Sequence, residues 1–359
     1  MTVVERLVNA SERLVRRAGL HFEGSATSCS PAREVRAMKP FIPKTMQAAA
    51  IDQYGGPEVL RPHVLPVPKP RSKEVLIRLE AAGIGVWDPE VRAGEFELGK
   101  KGFPKVLGND GAGTVMAVGK GVNRVNVGDR VYAYGYDGGF YAQYVAVKED
   151  ETAIVPPNVP TEEAGALGAD GVTALIGLED KLRLRAGEAL MIFGASGGIG
   201  HLAVQLAKRM GARVLAVASG KDGVELVRGL GADAVANGRR SPDVVARAVR
   251  AFAPEGLDAA LVLASGKALQ RALAGMKKGG RVAHPNGVEP APEGGDGIEV
   301  MAYDGEPSSA IFERLNDWIA AGPFHVELGG TFDLENAAQA HRAIGRHHLG
   351  KLALRIHAH

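Results

Sequence analysis

Seven residues, Gly194-Ala195-Ser196-Gly197-Gly198-Ile199-Gly200, have the types and spacing to hold a pyrophosphate. The apolar run Leu190–Phe193 comes before them, and Leu202, Val204, Leu206 and Ala207 open a helical pattern after them. Strand, tight glycine turn and helix form the first half of a dinucleotide-binding βαβ unit. Gly197 would let the backbone approach the phosphates, and Gly200 would let the helix pack on its strand. The helix N-terminus would turn free N–H groups and a partial positive charge toward the anion. The contact set is therefore Ala195, Ser196, Gly197, Gly198 and Ile199, with Ala195 standing where the usual G-x-G-x-x-G has its first glycine. A plain structural turn is the alternative. Gly211-Ala212-Arg213 followed by the apolar run Val214–Ala218 supplies the second strand at the right distance and favours the nucleotide.

The end of that second strand selects the cofactor. NAD enzymes place Asp or Glu there for the ribose hydroxyls. This chain has Ala218-Ser219-Gly220-Lys221. Ser219 can hydrogen-bond a 2′-phosphate and Lys221 can pair with it, which favours NADPH over NADH. Asp222 is the residue that argues the other way.

The elements that must position these groups follow from composition and pattern. The chain has 359 residues, enough for two domains with their own cores. Apolar content of 45% and a net charge of +2 are ordinary for a globular protein and give no reason to expect a nucleic-acid or anionic-membrane partner. No apolar run reaches membrane length. The single cysteine, Cys29, can neither close an internal disulfide nor build a thiolate zinc site, which suits a reducing cytosol.

Residues 1–45 read as a flexible N-terminal extension, with eight Arg/Lys against four acids and an amphipathic helical pattern near its start. The expected compartment is the cytoplasm, with organelle targeting by this segment left open. Residues 46–160 read as mostly β, punctuated by Gly and Pro, with Pro62, Pro66, Pro68 and Pro70 marking an extended linker. Tyr132, Tyr134, Tyr136, Tyr141 and Tyr144 read first as packing residues. Thr161 is expected to cap a helix. Residues 161–323 alternate strand and helix, including a helix over Ala268–Met276, as in a doubly wound parallel sheet. Residues 324–359 carry a helix, Leu334–Ile344, and a closing strand.

The chain resembles the medium-chain dehydrogenase/reductase superfamily, in its zinc-free quinone oxidoreductase (zeta-crystallin-like) branch, over about residues 46–359. The matching stretches are Gly55–Leu60, Leu107–Val115, Gly128–Val131, Gly138–Tyr144, Val172–Ala174, the Gly194–Gly200 turn and Gly350-Lys351. The resemblance implies an α/β chain: a GroES-like catalytic domain, a Rossmann cofactor domain, and a C-terminal segment returning to the first. Zinc alcohol dehydrogenases place Cys, His and Cys at positions matching Gly85, Asn109 and Ala169, and none of these three can ligate zinc, so no metal is expected. His341, His347, His348, His357 and His359 read as exposed tail residues.

The resemblance also implies a substrate-side loop at Gly85–Arg92. Asp88 and Arg92 match the family pattern, whereas Gly85 replaces Asn and Glu90 replaces Tyr. Trp87, Asp88 and Arg92 are the expected catalytic residues, with an Asp88–Arg92 structural ion pair and a core position for Trp87 as the alternatives. Thr173, His284, Asn286 and Gly287 fall near the nicotinamide, although Asn286-Gly287 also reads as a plain turn. The implied activity is NADPH-dependent hydride transfer to a small quinone or α,β-unsaturated carbonyl, in a homodimer. An alcohol or aldehyde dehydrogenase-like activity, and an NADPH-binding protein with little turnover, are the alternatives.

Overall fold

Residues 40–99 and 101–357 are described by the computed structural model. Most of the expected extension over 1–45, with Cys29, lies outside them, as does His359. The chain from Ile42 onward is one compact unit.

In chain order the strands are β1 (Thr45–Ile51), β2 (Arg61–Pro66), β3 (Glu74–Ile84), β4 (Lys105–Val106), β5 (Asp110–Val118), β6 (Arg130–Tyr134), β7 (Tyr144–Lys148) and β8 (Thr152–Ile154). The short helix α1 (Asp88–Ala93) follows β3, and α2 (Thr161–Ala164) and α3 (Gly168–Leu175) follow β8. Then strands and helices alternate: β9 (Ala189–Phe193), α4 (Gly198–Arg209), β10 (Arg213–Ala218), α5 (Gly220–Gly229), β11 (Ala234–Asn237), α6 (Pro242–Phe252), β12 (Leu257–Val262), α7 (Lys267–Leu273), β13 (Met276–Pro285) and β14 (Glu299–Tyr303). The chain closes with α8 (Ser309–Ala320), β15 (Leu328–Asp333), α9 (Ala337–Ile344) and β16 (Lys351–Arg355).

The alternating region forms a six-stranded sheet in the order β11-β10-β9-β12-β13-β14, every neighbour parallel. The order reverses between β9 and β12, and such a switch point is where α/β sheets bind ligands. Each residue of β9 is buried, because helices cover both faces, and this is why the strand reads as an unbroken apolar run. A second sheet of seven strands is built on the long β3 and is largely antiparallel. The C-terminal strands belong to it: β15 pairs β16, and β16 pairs β3 antiparallel, Leu352 opposite Ile84. A third sheet has three strands, β2-β1-β4.

Three local expectations change. The proline-rich linker contains β2, paired with β1 with Pro62 opposite Ala49 and Pro66 opposite Thr45. β2 is an edge strand, where a missing N–H leaves no ladder partner unpaired. Thr161 lies inside α2, which Pro160 precedes, and its Oγ1 accepts from Arg130 Nε at 2.9 Å instead of capping the helix. Helix α7 ends at Leu273, and Met276 already belongs to β13, because the residues from 276 onward align beside β12.

Candidate functional site

The glycine-rich turn leaves β9 through Gly194, at φ +92°. The N–H groups of Gly194 and Ala195 both donate to Val217 O, each at 3.0 Å, and pin the turn to β10. A Cβ on Gly200 would stand 2.7 Å from Ala195 Cα, so only glycine lets α4 seat on the turn. At Gly197 a Cβ would have one neighbour within 4 Å, Gly194 O at 3.6 Å, so that face of the backbone is open to a ligand. Ala195 is fully buried and packs into the core. Gly198 carries a constraint that the residue pattern alone does not show: a Cβ there would collide with Asp170 Oδ2. With Gly198 and Ile199 opening α4, their N–H groups lie in its unpaired first turn.

Ser196 joins this turn to the second strand. Its buried Oγ accepts the Ser219 N–H at 3.2 Å, and its carbonyl accepts the Gly350 N–H at 2.9 Å. Ala218 is buried, and Ser219 precedes α5 in extended conformation with no side-chain cap bond. Lys221 projects into solvent, its Nζ 3.9 Å from Glu225 Oε1. The structure thus brings Ser196, Gly197 and Ser219 together, with Lys221 two residues beyond.

The residues expected on the substrate side are Trp87, Asp88 and Arg92. Asp88 and Arg92 do not pair. Asp88, 1% exposed, accepts from Gly85 N at 2.8 Å and from Tyr141 Oη at 2.6 Å. Arg92 donates through Nε to Gly55 O at 3.0 Å and through Nη1 to His341 Nδ1 at 2.8 Å. His341 is therefore no exposed tail residue. It is 4% exposed on the inner face of α9, and burial followed by the Arg92 charge drives its pKa down to about 3. Neutral His341 accepts at Nδ1, so Nε2 carries its proton and faces Tyr141 Oη at 3.3 Å. The result is a directed chain of donors, Arg92 to His341 to Tyr141 to Asp88. Burial pushes the Asp88 carboxyl up to about 6, against the Tyr141 and Gly85 hydrogen bonds that favour the charged form. A sequence signal for His341 existed: Ala337, Ala340 and His341 share one helical face, and all three are buried.

Trp87 precedes Asp88 at the start of α1. It is partly buried and packs against both large core clusters. Its Nε1 donates to Asn109 Oδ1 at 3.3 Å, and Asn109 Nδ2 donates to Gly135 O at 2.9 Å. A Cβ on Gly85 would meet the indole at 2.8 Å, so glycine there makes room for the ring. Ala169, the third position compared with zinc ligands, gives its N–H to Asp110 Oδ2 at 3.1 Å. Among the described residues no group of three or more His, Cys, Asp or Glu is arranged to hold a metal ion.

Thr173 is buried on α3, its Oγ1 donating to Ala169 O at 2.7 Å and its carbonyl accepting from Tyr303 Oη at 3.0 Å. Asn286 and Gly287 form an exposed turn after β13, with Val288 N–H on Pro285 O at 3.1 Å. A Cβ on Gly287 would have nothing within 4 Å, and Asn286 Nδ2 donates to Asp304 Oδ2 at 2.8 Å. His284 is buried at the end of the same strand. Tyr132, Tyr134, Tyr141 and Tyr144 are packed inside, whereas Tyr136 is 37% exposed. Its Oη donates to Gly305 O at 3.3 Å, and Gly305 is held against Thr173. Tyr136 thus joins Trp87, Asn109 and Thr173 where the two large sheets meet.

A buried charge cluster locks the glycine turn to the seven-stranded sheet. Lys351 Nζ lies 2.7 Å from Asp110 Oδ2 and 3.3 Å from Asp170 Oδ1, with all three side chains 10% exposed or less. Burial opposes the ammonium charge, but the Asp110 and Asp170 carboxylates outweigh it and raise the Lys351 pKa. Burial raises Asp110 as well, with Lys351 opposing. Gly350-Lys351 carried the family resemblance, but its role is visible only here.

Residues 71–157 match a family model for the alcohol dehydrogenase GroES-like domain, and residues 198–288 match one for zinc-binding dehydrogenases. The chain is 30% identical to quinone oxidoreductase of Rattus norvegicus over 324 residues, 87% of this chain and 98% of the relative. It is 36% identical over 224 residues to the chloroplastic NADPH-dependent alkenal/one oxidoreductase of Arabidopsis thaliana, 60% of this chain and 58% of that one. The crystal structure of an NAD-dependent alcohol dehydrogenase superposes with a TM-score of 0.77 at 30% identity, covering 87% of this chain and all of the other.

Proposed function

The chain belongs to the quinone oxidoreductase branch of the medium-chain dehydrogenase/reductase superfamily and is an oxidoreductase; from that premise we propose that it reduces quinones or α,β-unsaturated carbonyls with NADPH and without zinc. The observation that carries the proposal is the Gly194–Gly200 turn at the switch point of the parallel sheet. Its open backbone at Gly197 and the first-turn N–H groups of Gly198 and Ile199 suit a pyrophosphate. Ser219 and Lys221, with no acid at the end of β10, suit a 2′-phosphate. NADPH, when bound, supplies a hydride.

The chain's own residues would then orient the acceptor and exclude water. Trp87 offers an indole face at the junction, held by Asn109 from one side and by Gly85 beneath it. Asp88 and Arg92 act in this reading as positioning residues, since their polar atoms are occupied by Tyr141, Gly85, Gly55 and His341. Thr173, Asn286 and Gly287 border the same junction in this reading, and Tyr136 adds a part-exposed phenol bonded to Gly305, which lies against Thr173. Zinc independence is supported by the donor set: Gly85, Asn109 and Ala169 offer no thiolate or imidazole. An acceptor that takes hydride readily needs no Lewis acid. The open edge of β14 suits pairing with a second copy, which light scattering in solution tests.

The deciding experiment is NADPH oxidation by purified protein, with a small quinone or a 2-alkenal as acceptor and NADH and EDTA as controls. The expected result is turnover with NADPH that survives EDTA. Loss of activity in EDTA overturns zinc independence, and tight NADPH binding without turnover on either acceptor overturns the reductase assignment.

A further inference from the structure

The loop between α9 and β16, residues 345–350, touches the nucleotide site at two places. Near its end Gly350 donates to Ser196 O and forms a bridge with Gly197. Three residues earlier, His347 reaches the first turn of α5. Its Nε2 lies 2.9 Å from Asp222 Oδ2 and 3.2 Å from Oδ1. A carboxylate only accepts, so Nε2 carries the proton in this contact. The same nitrogen stands 3.3 Å from where a Cβ on Gly220 would be, so glycine at 220 leaves room for the ring. Asp222 Oδ1 also accepts the Gly223 N–H at 2.9 Å, and His347 followed by Gly223 holds the carboxyl below its usual range.

Asp222 is the single acid in the first turn of α5, four positions after Ala218 closes β10. A free carboxylate at such a place accepts from a ribose 2′-hydroxyl and repels a 2′-phosphate. The groups that would favour the phosphate, Ser219 and Lys221, stand on either side of Gly220. Other charged groups nearby are Glu225, one turn along α5 and 3.9 Å from Lys221, and Arg346 and His348, which flank His347 in sequence.

We propose that His347 is a cofactor-specificity residue: by occupying the Asp222 carboxylate it removes the acceptor that a 2′-hydroxyl would use and relieves repulsion of a 2′-phosphate at Ser219 and Lys221. The inference rests on the NADPH reading above and names the residue of the C-terminal segment that enforces it. His347 acts through Asp222 and is thus a positioning residue.

Calorimetry on the full chain with 2′,5′-ADP and with 5′-AMP tests it, because the two probes differ by the 2′-phosphate alone. The wild type is expected to prefer 2′,5′-ADP, and His347→Ala to lose about fivefold or more of that preference by unmasking a carboxylate beside the phosphate. His347→Gln, whose amide still donates to Asp222, keeps the preference. Asp222→Asn placed on His347→Ala restores it. An unchanged ratio in His347→Ala, or no restoration in the double variant, overturns the role of His347. A wild type that does not favour 2′,5′-ADP overturns the NADPH reading and this inference with it. His347 is a half-exposed loop residue, and a matching melting temperature for each variant shows that the fold is kept.

Discussion

Replacing Lys351 with methionine keeps the side chain's length and removes its charge. The substitution leaves Asp110 and Asp170 facing each other, at 2% and 10% side-chain exposure, without their shared ammonium. Breaking a buried pair from one side typically costs about 3–5 kcal/mol, because the remaining charge is neither solvated nor paired. Native chains hold a margin of about 5–15 kcal/mol, so Lys351→Met should fold but melt early. At about 2 °C per kcal/mol in a chain of this size, the melting temperature at pH 8 should fall by about 6–10 °C. Acid should relieve the defect. The Asp110 carboxyl is already raised in the native state, and losing the ammonium raises it further. A carboxyl whose pKa is higher folded than unfolded contributes stability that is present at low pH and lost as pH rises through the folded value. The deficit should therefore shrink between pH 8 and pH 5. Asp110→Asn on the same background should recover much of the loss, since an amide oxygen can still accept the Ala169 N–H. Circular dichroism melts of the three proteins at the two pH values measure all of this. A deficit below about 1 kcal/mol at pH 8, or one that does not change with pH, refutes the electrostatic reasoning.

Three further outcomes are expected. Gly198→Ala forces a methyl against Asp170, which Lys351 holds in place, and should weaken NADPH binding about tenfold or more in a fluorescence titration, an unchanged affinity counting against the tight seat assigned to this turn. His201 is wholly buried, donates from Nδ1 to Gly197 O and accepts the Glu327 N–H at Nε2; burial pulls its pKa to about 4, so its contribution is complete above pH 6.5 and is lost as pH falls toward 4. His201→Gln should flatten the dependence of stability on pH between 6.5 and 4, by up to about 3 kcal/mol over the window, and urea titrations showing the same slope in both proteins would contradict this. Trp87→Ala should lower kcat/KM for the acceptor about tenfold or more while leaving NADPH affinity in place, and a loss confined to NADPH affinity would move Trp87 out of the acceptor site.

What the sequence disclosed and what it hid separate along a physical line. The Gly194–Gly200 turn was legible because its demands act on a few consecutive residues: Gly200 must admit α4 and Gly197 must leave the backbone open. The parallel sheet was legible because burial on both faces writes an unbroken apolar run such as Ala189–Phe193. The β2 edge strand was hidden because its prolines speak against a strand wherever the ladder position is unknown, and only the three-stranded sheet shows that it is an edge. Asp88 and Arg92 were legible as a pair worth noticing but not in their bonding, because spacing along a helix suggests that they meet whereas burial gives each a different partner.

The residues whose partners the sequence could not name are concentrated between 341 and 351. His341 meets Arg92 across 249 positions, Lys351 meets Asp110 across 241, and His347 meets Asp222 across 125. The helical face shared with Ala337 and Ala340 marks His341 as buried but not its partner, His347 reads as an exposed tail residue, and Gly350-Lys351 is noticed only as a matching stretch. A buried polar group must nonetheless be satisfied, so the His341 and Lys351 contacts fix the segment against α1 and the start of β5, and the more exposed His347 contact adds the first turn of α5. Since Gly350 also holds Ser196, the segment ties the Gly194–Gly200 turn, α1 and the first turn of α5 to one another. A change in any one of the three contacts should therefore be felt at a part of the site that is distant in sequence, which is the behaviour that the Lys351 and His347 variants are designed to expose.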